Sequence, residues 1–550
     1  MNRINHSRIK NPRLKDAFKK IDLFVRQDLR ASGVPALVVG ITNREHLLQV
    51  SAHGYADLER GIPVRPDSKF EIGSISKSFA SIVLLQLQER GLLDIDDPVT
   101  EHLPWLKIRT RFKPITLRHL MSHTAGITLG TDESLSAYSE ALVLEEIGAP
   151  TPPGRFYHYS NTGYKILGLV LEELLGKSNG QIIKERVTEP LGMMDTETVI
   201  WNDIRKRLPV GYGAYHDDRP LPRNGRLAPS PWFESDTADG SIVSTASDMA
   251  TYVRMILNKG MGPERRIISQ KSFEMLTQKI VDSSDANTKE HYGLGLGIRT
   301  ANGHTYVGHT GGMLGFISEI LADMDDGLGV VTLNNSHVDS NNIALNALTM
   351  LNAAVRGKRL PSLPAPRDPF HVKNASDYAG DYGRLDGKRV LFGSQRDRLY
   401  LAKGNKTIPL EQRDKDTFLA DHSDYRLFLF KFGRKADKVS EVYHGADWYL
   451  KGSYKGRRVL SYPRSWDPYP GHYRSHNPWN SNFRVVLRKE ALVFIQHDGK
   501  EEPIVALGDG TFRVGADKRC PERIEFSAIF KGKAMVAVLS GGRYVRVSSP

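Results

Sequence analysis

Apolar positions in the first 360 residues switch between two periods. Residues 36–42 and 47–55 are rich in β-branched and aliphatic side chains and read as strands. Residues 74–90 place Phe79, Ile82, Val83, Leu84, Leu85 and Leu87 on a helical stripe, and residues 20–32 and 164–175 predict two further helices. A largely helical region runs on to about residue 257. Strands return at 293–299, 304–309, 316–324 and 329–334, with Asn302-Gly303 as a hairpin signal, and a helix over 342–356 closes the unit. Strands at both ends of a helical block predict an α+β protein: an α/β sandwich carrying an all-helical lobe.

The pattern changes after the proline-rich stretch 361–369, which reads as an extended, semi-rigid linker. Beyond it come short alternating strands, such as 398–402, 425–432 and 484–487, separated by Gly, Asp and Lys turns. Tyr378-Ala379-Gly380-Asp381-Tyr382 is echoed 91 residues later by Tyr469-Pro470-Gly471-His472-Tyr473. The echo predicts two similar small antiparallel β-barrels. The expected domains are therefore 1–360, the linker 361–369, and barrels over 370–460 and 461–550.

Composition narrows the class. At 550 residues the chain is too long for one ordinary core, and 40% hydrophobic with 25% charged residues is globular. A lone cysteine, Cys520, excludes an internal disulfide and a cysteine-based metal site, and fits a reducing compartment. Residues 1–20 are polar and basic without the apolar core of a secretory signal, and no run is long enough to span a bilayer. A cytoplasmic location is expected. The net charge of +13 is uneven: residues 1–360 carry 42 basic and 41 acidic side chains, residues 361–550 carry 34 and 22. Without a block of like charge or a nucleic-acid motif, this reads as a solvated β-surface with protected edges, and no nucleic-acid partner is expected.

Three motifs carry candidate chemistry. Ser74-Ile75-Ser76-Lys77 brings a hydroxyl and an amine within one helical turn. Serine becomes a nucleophile when a neighbouring base takes its proton, and lysine serves when its own pKa is lowered. An ordinary capped helix has the same spacing. Tyr159-Ser160-Asn161 offers a phenol to share that proton and an amide for a substrate carbonyl. His304 to Gly312 holds His309-Thr310-Gly311-Gly312, where Gly311 and Gly312 let backbone approach a substrate and the Gly312 N–H can face an oxyanion.

In this order and spacing the motifs resemble those of the serine β-lactamase and penicillin-binding-protein superfamily, in its class-C-like branch of β-lactamases, D-aminopeptidases and esterases. Phe70-Glu71-Ile72-Gly73, the stretch 115–124 and Gly240-Ser241-Ile242-Val243-Ser244-Thr245 look similar too, over residues 20–350. The resemblance implies a metal-free, cofactor-free serine hydrolase. Ser74 would be acylated, with Lys77 and Tyr159 as the acid/base pair. Asn161 and His309 would contact substrate, beside Gly311, and the Ser74 and Gly312 N–H groups would form the oxyanion hole.

His309 departs from the lysine of the lactamase and carboxypeptidase branches. Histidine is largely neutral near pH 7, which weakens selection for a substrate carboxylate and favours the D-aminopeptidase and esterase branches. A small amide or short peptide is the expected substrate, with esters and lactams as alternatives, a non-catalytic binding protein as the rival class, and a homodimer as the assembly considered. In the three-domain D-aminopeptidases a loop of the last barrel reaches the active-site mouth, and residues 474–481 are the candidate here.

Other patterns read as structure. Gly176-Lys177-Ser178-Asn179-Gly180 lacks the strand before a nucleophile elbow, so Gly176 reads as a helix C-cap and Ser178 as turn or cap. Residues 293–297 read as strand against other backbone, His119 and His123 as packing or capping on a helical face, and Thr245 to Asp248 as a capping box.

Overall fold

The computed structural model describes residues 3–4, 11–132, 136–284, 289–336, 342–365, 368–508 and 510–548. By contacts the chain divides into one unit of Met1–Gly213 with Ala228–Pro366 and another of Ala214–Leu227 with Arg367–Pro550. Of the linker expected over 361–369, Pro366 and Arg367 lie outside the described residues. Residues 214–227, expected within the first domain, instead cluster with the barrels.

In the first unit a ten-stranded antiparallel sheet joins the two ends of the segment. The N-terminal strands Ala36–Asn43 and Leu47–Asp57 pair with each other, and Ala36–Asn43 pairs with Leu328–Asn334. Phe316–Asp323, His304–Met313, Gly297–Ala301 and Glu290–Tyr292 continue the sheet in that order. Period two puts alternate residues on opposite faces. Leu37, Val39 and Ile41 pack with Phe18, Ile21 and Val25 of the helix Pro12–Ser32 and with Ala347, Leu348 and Leu351 of Ile343–Val355. On the other face the helix Ala246–Leu257 comes close because a glycine faces it: a Cβ on Gly40 would lie 3.0 Å from the Ala246 carbonyl oxygen.

The helix Ser76–Glu89 is buried over Ser76 to Leu85 and at Leu87, so the apolar stripe read from sequence is one side of an element enclosed nearly all round. The expected strand over 293–299 begins only at Gly297; Leu294 to Leu296 form a bend. Gly295 in that bend, at φ +93°, lies where a Cβ would come within 2.7 Å of Ser81 Oγ, so the bend is pressed onto the same helix.

The second unit holds two closed barrels of eight antiparallel strands, from Gly380–Gly383 to Asp447–Lys451 and from Gly471–Arg474 to Gly542–Val547. Closure removes the exposed edges that open sheets must protect. The echoed tyrosines do the same work in each: Tyr382 donates to the Tyr378 carbonyl at 2.8 Å and Tyr473 to that of Tyr469 at 2.7 Å. The expected strand over 425–432 starts at Phe430, the preceding residues forming turns. Residues 474–481 are tied to the inserted segment: Ser481 Oγ donates to Asp217 at 2.9 Å, and Arg474 pairs with the same carboxylate.

Candidate active site

Gly73–Ile75 forms a single 3₁₀ turn that runs directly into the helix Ser76–Glu89. Ser74 therefore sits in the turn before the α-helix rather than on its first residue, and it is only partly buried. Lys77 is 0% exposed, and its Nζ lies 3.0 Å from Ser74 Oγ and 2.8 Å from the Asp239 carbonyl oxygen. Burial pushes the Lys77 pKa down to about 8, nearby Lys165 assisting while Asp239 and Asp132 oppose. A buried amine poised near neutrality beside an accessible hydroxyl is the arrangement a serine nucleophile needs.

Tyr159 arrives from the loop that precedes the helix Asn161–Leu175. Its phenol faces the Ser74 side, and its ring centroid lies 4.9 Å from Lys77 Nζ. Burial raises the Tyr159 pKa, with nearby Ser74 opposing, so it is held as a phenol. His123 braces it. The two rings lie 4.2 Å apart by centroid, and His123 Nδ1 accepts the Ser160 N–H at 3.1 Å.

Asn161 is expected to offer its amide to a substrate. In the structure Nδ2 donates to Asp132 Oδ2 at 3.0 Å, so one amide hydrogen is already committed, and Oδ1 is buried without a hydrogen-bond partner. The other Asp132 oxygen accepts from Lys165 Nζ at 2.6 Å, and both side chains of that pair are mostly buried. Asp239 and Asp132 raise the Lys165 pKa against burial, which keeps it a cation. Lys165 lies four residues after Asn161 on one helix face, a spacing visible in the sequence. Asp132 and Asp239 sit in irregular segments with no local signal.

Gly311 is buried and Gly312 exposed on the strand His304–Met313. A Cβ on Gly311 would lie 1.8 Å from the Ile72 carbonyl oxygen, which makes glycine obligatory there. Ser318 Oγ fastens the same carbonyl at 2.8 Å. These contacts bring the Gly312 backbone alongside the turn that holds Ser74.

His309 Nε2 lies 2.8 Å from the Tyr292 hydroxyl, and Nδ1 meets the Thr310 carbonyl oxygen. Burial pushes its pKa down to about 4, the Thr310 bond opposing and Lys77 assisting, so the ring is neutral at pH 7. Among the described residues, His304, Asp323 and Asp325 could gather round a metal ion. In the structure they bond to protein groups: His304 Nδ1 and Asp323 Oδ2 are 2.6 Å apart, Asn352 donates to that oxygen at 2.7 Å, and Thr305 N–H donates to Asp325 at 2.7 Å.

The remaining patterns are structural. Gly176 ends its helix in the left-handed region, and Ser178 caps the next by accepting from Gln181 N–H. Thr245 caps Ala246–Leu257. His119 completes a capping box with Thr116, but His123 does not share its helix, which ends at Met121; it lies beyond the end at φ +55°. No helix of the described residues is long and apolar enough to cross a membrane.

A model of the Beta-lactamase family matches residues 21–354. Penicillin-binding protein 4 of Amycolatopsis lactamdurans is 27% identical over 366 residues, covering 64% of this chain and 93% of that protein. The octameric penicillin-binding protein homologue from Pyrococcus abyssi superposes with a TM-score of 0.57 at 26% identity, over 79% of this chain and 100% of its own. The D-amino acid amidase from Ochrobactrum anthropi SV3, complexed with D-phenylalanine, gives 0.54 at 24% identity over 62% of this chain and 100% of its own, a likeness of fold.

Proposed function

The chain belongs to the Beta-lactamase family, and from that premise we propose that it is a serine hydrolase that cleaves small amides or peptides through an acyl-enzyme on Ser74. One observation carries the reading: the buried Lys77 amine, its pKa lowered to about 8, stands 3.0 Å from the Ser74 hydroxyl. The amine's neutral fraction, which grows as pH rises toward 8, accepts the Ser74 proton as Oγ bonds to the substrate carbonyl carbon. The Ser74 and Gly312 N–H groups hold the oxyanion. The bond to the leaving nitrogen then breaks, and that nitrogen takes its proton from the Lys77–Tyr159 pair. Water enters by the same route in reverse and releases the acid.

A neutral His309 supports substrates that carry no carboxylate at that end, which favours the amidase and esterase branches over the lactamase one. The D-configuration at the cleaved bond is carried by the resemblance to the D-aminopeptidases. A panel of D-alanyl and L-alanyl p-nitroanilides, p-nitrophenyl butyrate and a chromogenic cephalosporin tests the reading. Turnover of the D-amide, lost in Ser74→Ala, is expected. Ester turnover alone moves the assignment to an esterase, and no Ser74-dependent turnover of any member leaves a binding protein.

A further inference from the structure

The chemistry of His309 is decided by a residue from another strand. A carbonyl oxygen only accepts, so the His309 nitrogen facing Thr310 carries the hydrogen. A neutral imidazole has one N–H; Nε2 is therefore the acceptor, and the Tyr292 hydroxyl, 2.8 Å away, is the donor. Both ring nitrogens are engaged, and no donor is left for a carboxylate.

Tyr292 is well placed to impose this. It is 4% exposed and ends the strand Glu290–Tyr292, which pairs with Gly297. Its ring lies 4.9 Å from that of His123 and 5.5 Å from that of Tyr157, by centroid. The bend that follows is pressed onto the helix of Lys77 at Gly295. The hydroxyl is thus fixed from three sides. The charged and titratable groups around the His309–Tyr292 pair are Lys77, His123, Tyr157, Tyr159, Tyr164 and Glu290. Lys77 is the nearby cation among them, and it opposes a second one on His309.

We propose that Tyr292 is a specificity-determining residue: by donating to His309 Nε2 it fixes the tautomer of the neutral ring and leaves it without a free donor, and so excludes substrates that present a carboxylate to it. This rests on the acyl-enzyme reading of Ser74. A lysine at this position would pair with a carboxylate directly; here the paired histidine selects an amide, an ester or an apolar terminus.

Tyr292→Phe keeps the ring and removes the hydroxyl. The test compares kcat/KM for two p-nitrophenyl esters that differ only in ending in a free carboxylate or in its methylamide. The wild type is expected to prefer the methylamide, and Tyr292→Phe at pH 6 to move the ratio roughly ten-fold toward the carboxylate, the worth of one hydrogen bond from an Nε2 that has taken a proton. The shift should be larger at pH 6 than at pH 8, because the freed Nε2 can then take a proton. His309→Lys should move the ratio the same way at both pH values. A ratio unchanged within two-fold in Tyr292→Phe overturns the proposal, whether or not both rates fall together. A nitrogen-detected spectrum of the His309 ring gives an independent reading: wild type with hydrogen on Nδ1 alone is expected, and hydrogen on Nε2 overturns it. Failure of the methylamide ester to acylate Ser74 in the wild type, read by intact mass, instead strikes the acyl-enzyme reading.

Discussion

Gly73 and Gly312 face each other so closely that a Cβ on Gly73 would lie 2.6 Å from the Gly312 carbonyl oxygen and 2.8 Å from its nitrogen. Gly73 also has φ +50°, so a side chain would meet both a torsional cost and a clash with backbone. Gly73→Ala should cost about 2–4 kcal/mol, read by urea unfolding. Displacing the Gly312 N–H should also cut acylation by about a hundred-fold, the loss of one oxyanion donor, read as burst rate with p-nitrophenyl butyrate.

Two buried groups give stability a shaped pH dependence. Burial pushes Glu71 up from 4.5 to about 8, so the folded chain binds the extra proton between these values and stability falls as pH rises through them. Lys77 is pushed down from 10.5 to about 8, so the unfolded chain binds more protons above pH 8 and stability rises from there to about 10.5. Each limb is worth roughly 3–5 kcal/mol at most. His309, pushed down from 6.5 to about 4, makes stability rise over that interval and offsets Glu71 there. Chemical unfolding should therefore show a fall from about pH 6.5 to a trough near pH 8. Glu71→Gln should flatten the acid limb, and Lys77→Met the alkaline one while abolishing turnover. A profile that does not fall between pH 6.5 and 8 would contradict the Glu71 assignment, and one that does not rise above pH 8 the Lys77 assignment.

The Asp132–Lys165 pair, at 2.6 Å, orients Asn161 and adds to the field on Lys77. Removing one partner leaves a charge buried alone, so Lys165→Met should destabilise by about 3–5 kcal/mol. The double change with Asp132→Asn should recover much of that stability but not kcat/KM, because Asn161 loses the carboxylate that aligns it. A double-mutant cycle on unfolding and on turnover checks the two separately.

Tyr382→Phe and Tyr473→Phe remove equivalent hydrogen bonds at the start of each barrel. Each should cost about 1–2 kcal/mol, since a buried carbonyl loses a donor. Calorimetry should show the two losses to be additive, because the barrels have separate cores.

Sequence alone determined the elements and the motif set. Runs of β-branched and aliphatic residues marked the strand at 36–42, and a helical stripe the helix of Lys77, because buried elements are built from such residues at such spacing. The tyrosine–glycine echo marked the two barrels for the same reason: each needs the same bond at the same place. The Ser74 and Lys77 partnership was legible because three residues span one turn. Tertiary structure alone decided the rest. Asp132, Asp239 and Tyr292 come from loops and a short strand, and only folding puts Asp132 beside Asn161 or the Tyr292 hydroxyl on His309. Residues 214–227 joined the barrels through long-range contacts that no local pattern records. The protonation states of Lys77, Tyr159 and His309 likewise belong to the fold, since desolvation depends on everything packed around a group and on nothing in its immediate sequence.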